Sequence, residues 1–257
     1  QYTQVTDTVF EKYLINRGWD DTLDGRISNS KVKDIKYLDF GDYGKIKSLS
    51  GIEAFKSLET LYCFSQQLKS LNLTENLNLK TLIINNYLNN QKGEYNKTEI
   101  KILNLNNNYN LENLTCTDVS IEELLISSCR NLKSLDCSNN KIESLDLSNC
   151  KNLESLNCSN NKIKSLNLSN CNNLESLDCS INEIKKLDIH NLQESCVSFS
   201  TNPVRKIIFK SQHCNENILK RIFSSKIIKE DNLLILVQNP CYELDFENFK
   251  VVKFTCR

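Results

Sequence analysis

LKSLDCSNNKIESLDLSNCKN, beginning at Leu132, runs without a gap into LESLNCSNNKIKSLNLSNCNN from Leu153 and then into LESLDCSINEIKKLDIHN from Leu174. The repeat is 21 residues, and it extends in both directions. Upstream, LENLTCTDVSIEELLISSCRN begins at Leu111 and LETLYCFSQQLKSLNLTENLN at Leu58, with a copy from Leu79 between them that is about 11 residues too long near NNQKGEYNKTE. A degenerate first copy starts at Ile35, and a last one, shifted by a residue, runs through Val197, Phe199, Asn202, Val204 and Ile207. That makes about eight turns of one unit, and self-similarity at such a period is the signature of a solenoid.

Each copy reads L-x-x-L-x-C-x-x-N-x-I, a leucine-rich-repeat pattern with cysteine in one leucine slot. Alternation around Leu135 and Cys137 predicts a short strand with every second side chain inward. Such a strand cannot bury its apolar face alone, so the copies stack into a parallel sheet along one side. Asn140, Asn161 and Asn182 fall where an inward amide can satisfy backbone groups of adjacent turns. The LDLSNC half predicts a second extended segment on the opposite wall, because 21 residues leave no room for a long helix. The expected class is therefore a leucine-rich-repeat solenoid, α/β by classification and mostly β, with its sheet on the concave side.

The chain has 12 cysteines. Cys116, Cys137, Cys158 and Cys179 recur at the repeat, with Cys63 in the same slot upstream, and Cys129, Cys150 and Cys171 form a second column. Free core thiols compete here with disulfides or a metal site. In-register strands lie about 4.8 Å apart, whereas a disulfide brings Cβ atoms to about 3.8 Å in a specific twist. Buried cysteine behaves as a small hydrophobe, and the chain holds no C-x-x-C pair. Structural thiols and no metal are expected.

The pattern LxxLxCSxNxIxxLxLSN, over about Ile35 to Phe209, resembles leucine-rich-repeat proteins exported by Bacteroidetes and the cysteine-ladder internalins of Gram-positive pathogens. The leader VTDTVFEKYLINRGWDDTLDGRISNSKV resembles the cap before such arrays. The resemblance implies a secreted or cell-surface location and adhesion to, or binding of, a host protein. The chain departs from the family in having no obvious C-terminal sorting domain and no N-terminal cysteine for lipidation. A start at Gln1 with no methionine anywhere fits a mature chain whose signal peptide has been removed, and equally a trimmed one.

Three regions follow: a helical N-terminal cap over 1–34, the repeats over 35–210, and an α+β C-terminal cap over 211–257. Residues 6–17 fit a helix capped by Thr6 or Asp7, with Val9, Phe10, Tyr13 and Leu14 on one face and Trp19 plugging the same core. DDTLDGRI places Asp20, Thr22, Asp24 and Gly25 as in a calcium loop, but the position of the bidentate Glu is Lys31, so an Asx-stabilised turn is the better reading. In the C-terminal region NENILKRIFSSK reads as a helix and LLILVQ, CYELDF and KVVKFTC as strands. Cys214, Cys241 and Cys256 lie outside both columns and are the disulfide candidates of an exported protein, Cys241 with Cys256 among the pairings.

Composition narrows the function. Lys+Arg and Asp+Glu are both 32, which removes the large positive field that nucleic acid or an anionic membrane would require. No apolar run approaches the roughly 18 residues of a membrane span. The two histidines, His190 and His213, sit at a repeat junction and in the C-terminal cap, far apart on a rod. With no phosphate loop, no H-E-x-x-H and no defensible carboxylate pair, neither catalysis nor a cofactor is expected.

Binding is the remaining class. Outward strand positions are bland in the middle copies: Ser134, Asp136 and Ser138, then Ser155, Asn157 and Ser159, then Ser176, Asp178 and Ser180. The first copies differ, with Tyr37 and Asp39, then Thr60, Tyr62 and Phe64, then Thr81, Ile83 and Asn85. Exposed aromatics are enriched at interaction hot spots, although these rings could instead pack against the cap or the insertion. The insertion adds Tyr87, Lys92, Tyr95 and Lys97. The candidate site is thus Tyr37, Asp39, Tyr62, Phe64, Ile83 and the insertion residues. A protein partner is expected first, on a host or another cell surface. A rigid spacer in an envelope assembly and a glycan-binding surface protein are the alternatives. Asp7-Thr8-Val9 and Asp21-Thr22-Leu23 resemble a short O-glycosylation acceptor of Bacteroidetes, a frequent tripeptide.

Overall fold

The column that organises the molecule is Leu38, Leu61, Leu82, Leu114, Leu135, Leu156 and Leu177, each buried and each directly in register with the next across a parallel ladder. The computed structural model describes residues 1–41, 45–64, 67–86, 98–188 and 202–203. It also gives the backbone of the strands Cys196–Ser198, Lys206–Lys210, Leu234–Gln238, Tyr242–Asp245 and Lys250–Lys253. Burying one such leucine stabilises by about 1.5–3 kcal/mol, and no single coil can do it alone. The ladder is an eight-stranded parallel sheet: Tyr37–Asp39, Thr60–Phe64, Thr81–Asn85, Asn113–Thr117, Ser134–Asp136, Ser155–Asn157, Ser176–Asp178 and Cys196–Ser198, side by side in chain order.

The opposite wall is held by shorter parallel pairings. Ile102–Asn104 pairs with Glu123–Leu125, Leu166 bridges Leu187, and Lys186–Asp188 pairs with Lys206–Lys210. Parallel stacking continues past residue 211, because Leu234–Gln238 adds to Lys206–Lys210 in parallel before the antiparallel pair Tyr242–Asp245 and Lys250–Lys253. These match the strands read from LLILVQ, CYELDF and KVVKFTC. The helix read from NENILKRIFSSK lies outside the described residues, as do Cys214, Cys241 and Cys256.

Between the walls, asparagine does the stitching. Asn161 Nδ2 donates to the carbonyl of Cys137 in the preceding coil at 3.0 Å and to that of Cys158 at 3.1 Å, while its Oδ1 accepts from Ile142 N at 3.0 Å. Asn140, Asn182 and Asn202 repeat the arrangement. Cys63, Cys116, Cys137, Cys158 and Cys179 form one buried column and Cys129, Cys150 and Cys171 the other; all eight are free. Burial pushes every one of these thiols up, Cys129, Cys150 and Cys179 to about 12 and Cys171 to about 11. Thiols held that high are neutral, which suits a hydrophobic ladder. The second column extends upstream as buried asparagines. Asn76 donates to the Ile52 and Phe55 carbonyls, and Asn108 to those of Leu73 and Asn76.

At the N-terminus the helix Thr8–Asn16 closes the end of the stack. Asp7 caps it through Oδ1, accepting from Val9 N at 2.8 Å and Phe10 N at 3.1 Å, while Oδ2 accepts from Lys47 N and Ser48 N. Phe10, Tyr13 and Leu14 are buried, Val9 is partly buried, and Trp19 packs edge-on to Tyr13 and Phe55. The 20–27 turn is an Asx turn, with Asp24 Oδ1 accepting from Arg26 N at 3.1 Å. The buried Glu11 also anchors it, accepting from Asp24 N and Gly25 N. Lys31 pairs with Asp21.

Candidate binding face

The face of the eight-stranded sheet is built by the residues left over from the core. Thr60–Phe64 buries Leu61 and Cys63, so Thr60, Tyr62 and Phe64 point away; Thr81, Ile83 and Asn85 do the same one strand on. In register, Asp39, Tyr62, Ile83, Thr115, Asp136, Asn157 and Asp178 form one row across the coils.

The aromatic residues pack against one another. Tyr37 meets Tyr62 edge to face, with centroids 5.5 Å apart at 77°, and Tyr62 meets Phe64 at 5.7 Å and 57°. Tyr37 remains 49 % exposed. Its hydroxyl donates to Asp39 Oδ2 at 3.1 Å, while Asp39 Oδ1 accepts from Gly41 N at 2.8 Å and the Asp39 carbonyl accepts from the Tyr13 hydroxyl. Partial desolvation, then the hydrogen bond and charge of Asp39, raise the Tyr37 phenol above its ordinary value. A short aromatic row tied to the cap by Tyr13 thus starts the face, with Ile83 beside Tyr62.

Tyr87, Lys92, Tyr95 and Lys97 lie outside the described residues, but the base of their insertion is visible. Asn86 Oδ1 accepts from Thr98 N at 2.8 Å and its Nδ2 donates to the Thr98 carbonyl at 3.0 Å. The insertion therefore leaves from the end of the Thr81–Asn85 strand, the neighbour of the aromatic strand. His190 and His213 also lie outside the described residues.

One expectation for the middle coils is corrected. Ser138 and Ser180, read as bland outward positions, are 5 % and 8 % exposed. Each folds back onto the residue two before it. Ser138 N and Oγ donate to Asp136 Oδ1, and Ser180 N and Oγ donate to Asp178 Oδ1. Asn157 takes the same role toward Ser159, which shows that an amide fills this slot as well as a carboxylate. The reason is local: a short acceptor followed by Ser closes an Asx turn where the strand ends.

Sequence reasoning missed the edge of this face. Glu59 sits between Lys36 and Lys80, at 2.8 and 2.7 Å, and is lowered to about 2 by hydrogen bonds from Lys36 and then Lys80. Glu112 pairs with Lys133 at 2.7 Å in the same edge column. The signal was present, since these residues precede the strands at the repeat spacing with alternating sign.

No family model and no curated protein matches the chain. Among solved structures it is similar to internalin C2 of Listeria monocytogenes, at 17 % identity, TM-score 0.54 and coverage of 90 % of this chain and 93 % of that one. It is also similar to a leucine-rich-repeat protein of Leptospira interrogans, at 20 % identity, TM-score 0.57 and coverage of 70 % and 46 %. The functional domain of InlJ from Listeria monocytogenes, which includes a cysteine ladder, matches at 21 % identity, TM-score 0.41 and coverage of 82 % and 57 %. The chain thus spans under two thirds of the InlJ domain and under half of the Leptospira protein. The fold is that of leucine-rich-repeat proteins, internalins among them, as the repeat pattern implied.

Proposed function

We propose that the chain is a protein-binding leucine-rich-repeat protein that works outside a bacterial cell or on its surface, engaging a host or neighbouring-cell protein through the first third of its sheet face. The observation that carries this is the aromatic row Tyr37, Tyr62 and Phe64, with Ile83 beside it, on a face otherwise made of Ser, Thr, Asn and Asp. Partly exposed aromatic side chains fixed by their neighbours lose little entropy on binding and contribute disproportionately to interfaces. Tyr37 and Tyr62 meet edge to face and Phe64 is tilted against Tyr62, so the row offers edges as well as faces, which favours protein side chains over the flat stacking a sugar uses. The high-held buried thiols support a scaffold without covalent chemistry. No helix of the described residues is long and apolar enough to cross a membrane. The test is affinity capture from serum and cell-surface extracts with the wild type and with Tyr62→Ala/Phe64→Ala, read by mass spectrometry. A protein retained by the wild type and lost with the double variant supports the reading, and equal capture removes it.

A further inference from the structure

Charge is sorted on this molecule in a way its neutral total conceals. From Tyr37–Asp39 to Ser176–Asp178, the outward strand positions carry the carboxylates Asp39, Asp136 and Asp178 and neither Lys nor Arg. Among the described residues, the lysines that directly precede the strands of the face are committed to glutamates, Lys36 and Lys80 to Glu59 and Lys133 to Glu112. Two further edge residues, Glu154 and Glu175, stack directly with no lysine between them, since Glu175 N donates to the Glu154 carbonyl. The face therefore presents aromatic rings and negative charge together, with the lysines of its described strand edge already paired.

We infer that the occupant of this face is a protein segment bearing Arg or Lys side chains, one of which seats against Tyr37 and Tyr62 beside the Asp39 carboxylate. The inference rests on the reading of this face as a docking surface. Aromatic faces attract cations, and a carboxylate at the ring edge adds direct Coulomb attraction. Asp39 keeps lone pairs beyond those used by Tyr37 and Gly41, because a carboxylate accepts about four hydrogen bonds. Six strand spacings separate Asp39 from Asp178 along the row, about 29 Å, so an extended segment of about nine residues would reach every carboxylate on it.

The structure supplies a variant that removes the charge and keeps the turns. Asn157 accepts from Ser159 N at 3.1 Å as Asp136 accepts from Ser138 N at 3.0 Å, so Asp39→Asn/Asp136→Asn/Asp178→Asn keeps the turn bond at each position and gives up the one bond that Asn157 Nδ2 donates to Asp136 Oδ2. The probes are two labelled peptides of about ten residues, identical in Tyr, Leu, Gly and Ser content, one carrying three arginines and the other three glutamates. Binding to the full chain is followed by fluorescence anisotropy. The arginine peptide is expected to bind the wild type, to weaken as sodium chloride rises, and to lose about tenfold or more in affinity with the triple variant; the glutamate peptide is expected not to bind. Equal binding of the two peptides, binding of neither, or undiminished binding to a triple variant with wild-type Tm overturns the inference. If the triple variant melts early, the wild-type salt series decides, and an affinity independent of salt overturns it. Capture that is lost with Tyr62→Ala/Phe64→Ala while peptide binding ignores charge removes only this inference, whereas capture that survives the double variant removes the docking reading itself.

Discussion

Asn139 and Asn160 are joined across neighbouring coils, Nδ2 of Asn160 donating to Oδ1 of Asn139 at 2.7 Å. Both sit in the left-handed region, at φ +58° and +53°, as does Asp118 one coil earlier at +56°. Asn and Asp tolerate this conformation. The next residue in the column is Ile181, at φ +53°, a β-branched side chain that is 49 % exposed. Ile181→Asn is therefore expected to stabilise the protein by about 1 kcal/mol, read as a higher urea midpoint at unchanged m. A midpoint that falls would mean that Ile181 contributes packing that outweighs its backbone strain.

The inward asparagine column predicts the opposite sign. Asn161→Ala strands the buried amide of Ile142, which donates to the removed Oδ1, and leaves the Cys137 carbonyl with the Asn140 amide in place of two donors. The expected loss is about 3 kcal/mol, measured by chemical denaturation. Replacement of Asn149, which makes one exposed bond to the Ser127 carbonyl, should cost much less. Similar losses at both positions would contradict the assigned role of the column.

The thiol columns predict silence. Cys137 and Cys158 are fully buried, with their thiols held well above the ordinary value by burial, then by their neighbours' charge. At pH 8 neither should react with a maleimide until denaturant unfolds the array, as peptide mapping would show. Rapid labelling of either in the native protein would contradict a sealed core.

Glu59 gives the pH dependence. Its folded-state carboxyl lies at about 2, below the unfolded value, so its contribution is present above the unfolded value and is lost as pH falls toward 2. Because Glu59 is exposed to solvent screening, the effect is small. The difference in Tm between the wild type and Glu59→Gln should be measurable at pH 6 in low salt and vanish by about pH 2. A difference that grows on acidification would reverse the sign assigned here.

What repeats was readable, and what turns aside was not. Leu135, Cys137 and Asn140 declare their slots because the same residue type returns through the regular coils, and each is found where its period places it. Asp7 was legible as a cap from its place before an apolar run. By contrast, nothing in the spacing of Ser138 says that its hydroxyl folds back onto Asp136, because a polar residue carries no burial signal. Asn76 and Asn108 were hidden by type: they take the slot that Cys129 takes later, three residues before Leu79 and Leu111, but change from thiol to amide. The burial of Glu11 was likewise invisible, since its partners are the amides of Asp24 and Gly25, brought near only by the folded cap. For the candidate site, sequence located Tyr37, Tyr62 and Phe64 on one face, and structure added that they pack as a row anchored at Asp39.

In the proposed docking mode, the aromatic end of the sheet face, and not its regular middle, engages the partner protein. Parallel affinity capture decides this with three proteins of the same 257 residues: wild type, Tyr62→Ala/Phe64→Ala, and a middle-coil control, Ser134→Ala/Ser155→Ala, each checked for unchanged Tm. One protein should be retained equally by the wild type and the middle-coil control and lost with the aromatic variant. Retention by all three, or loss only with the middle-coil control, would contradict it.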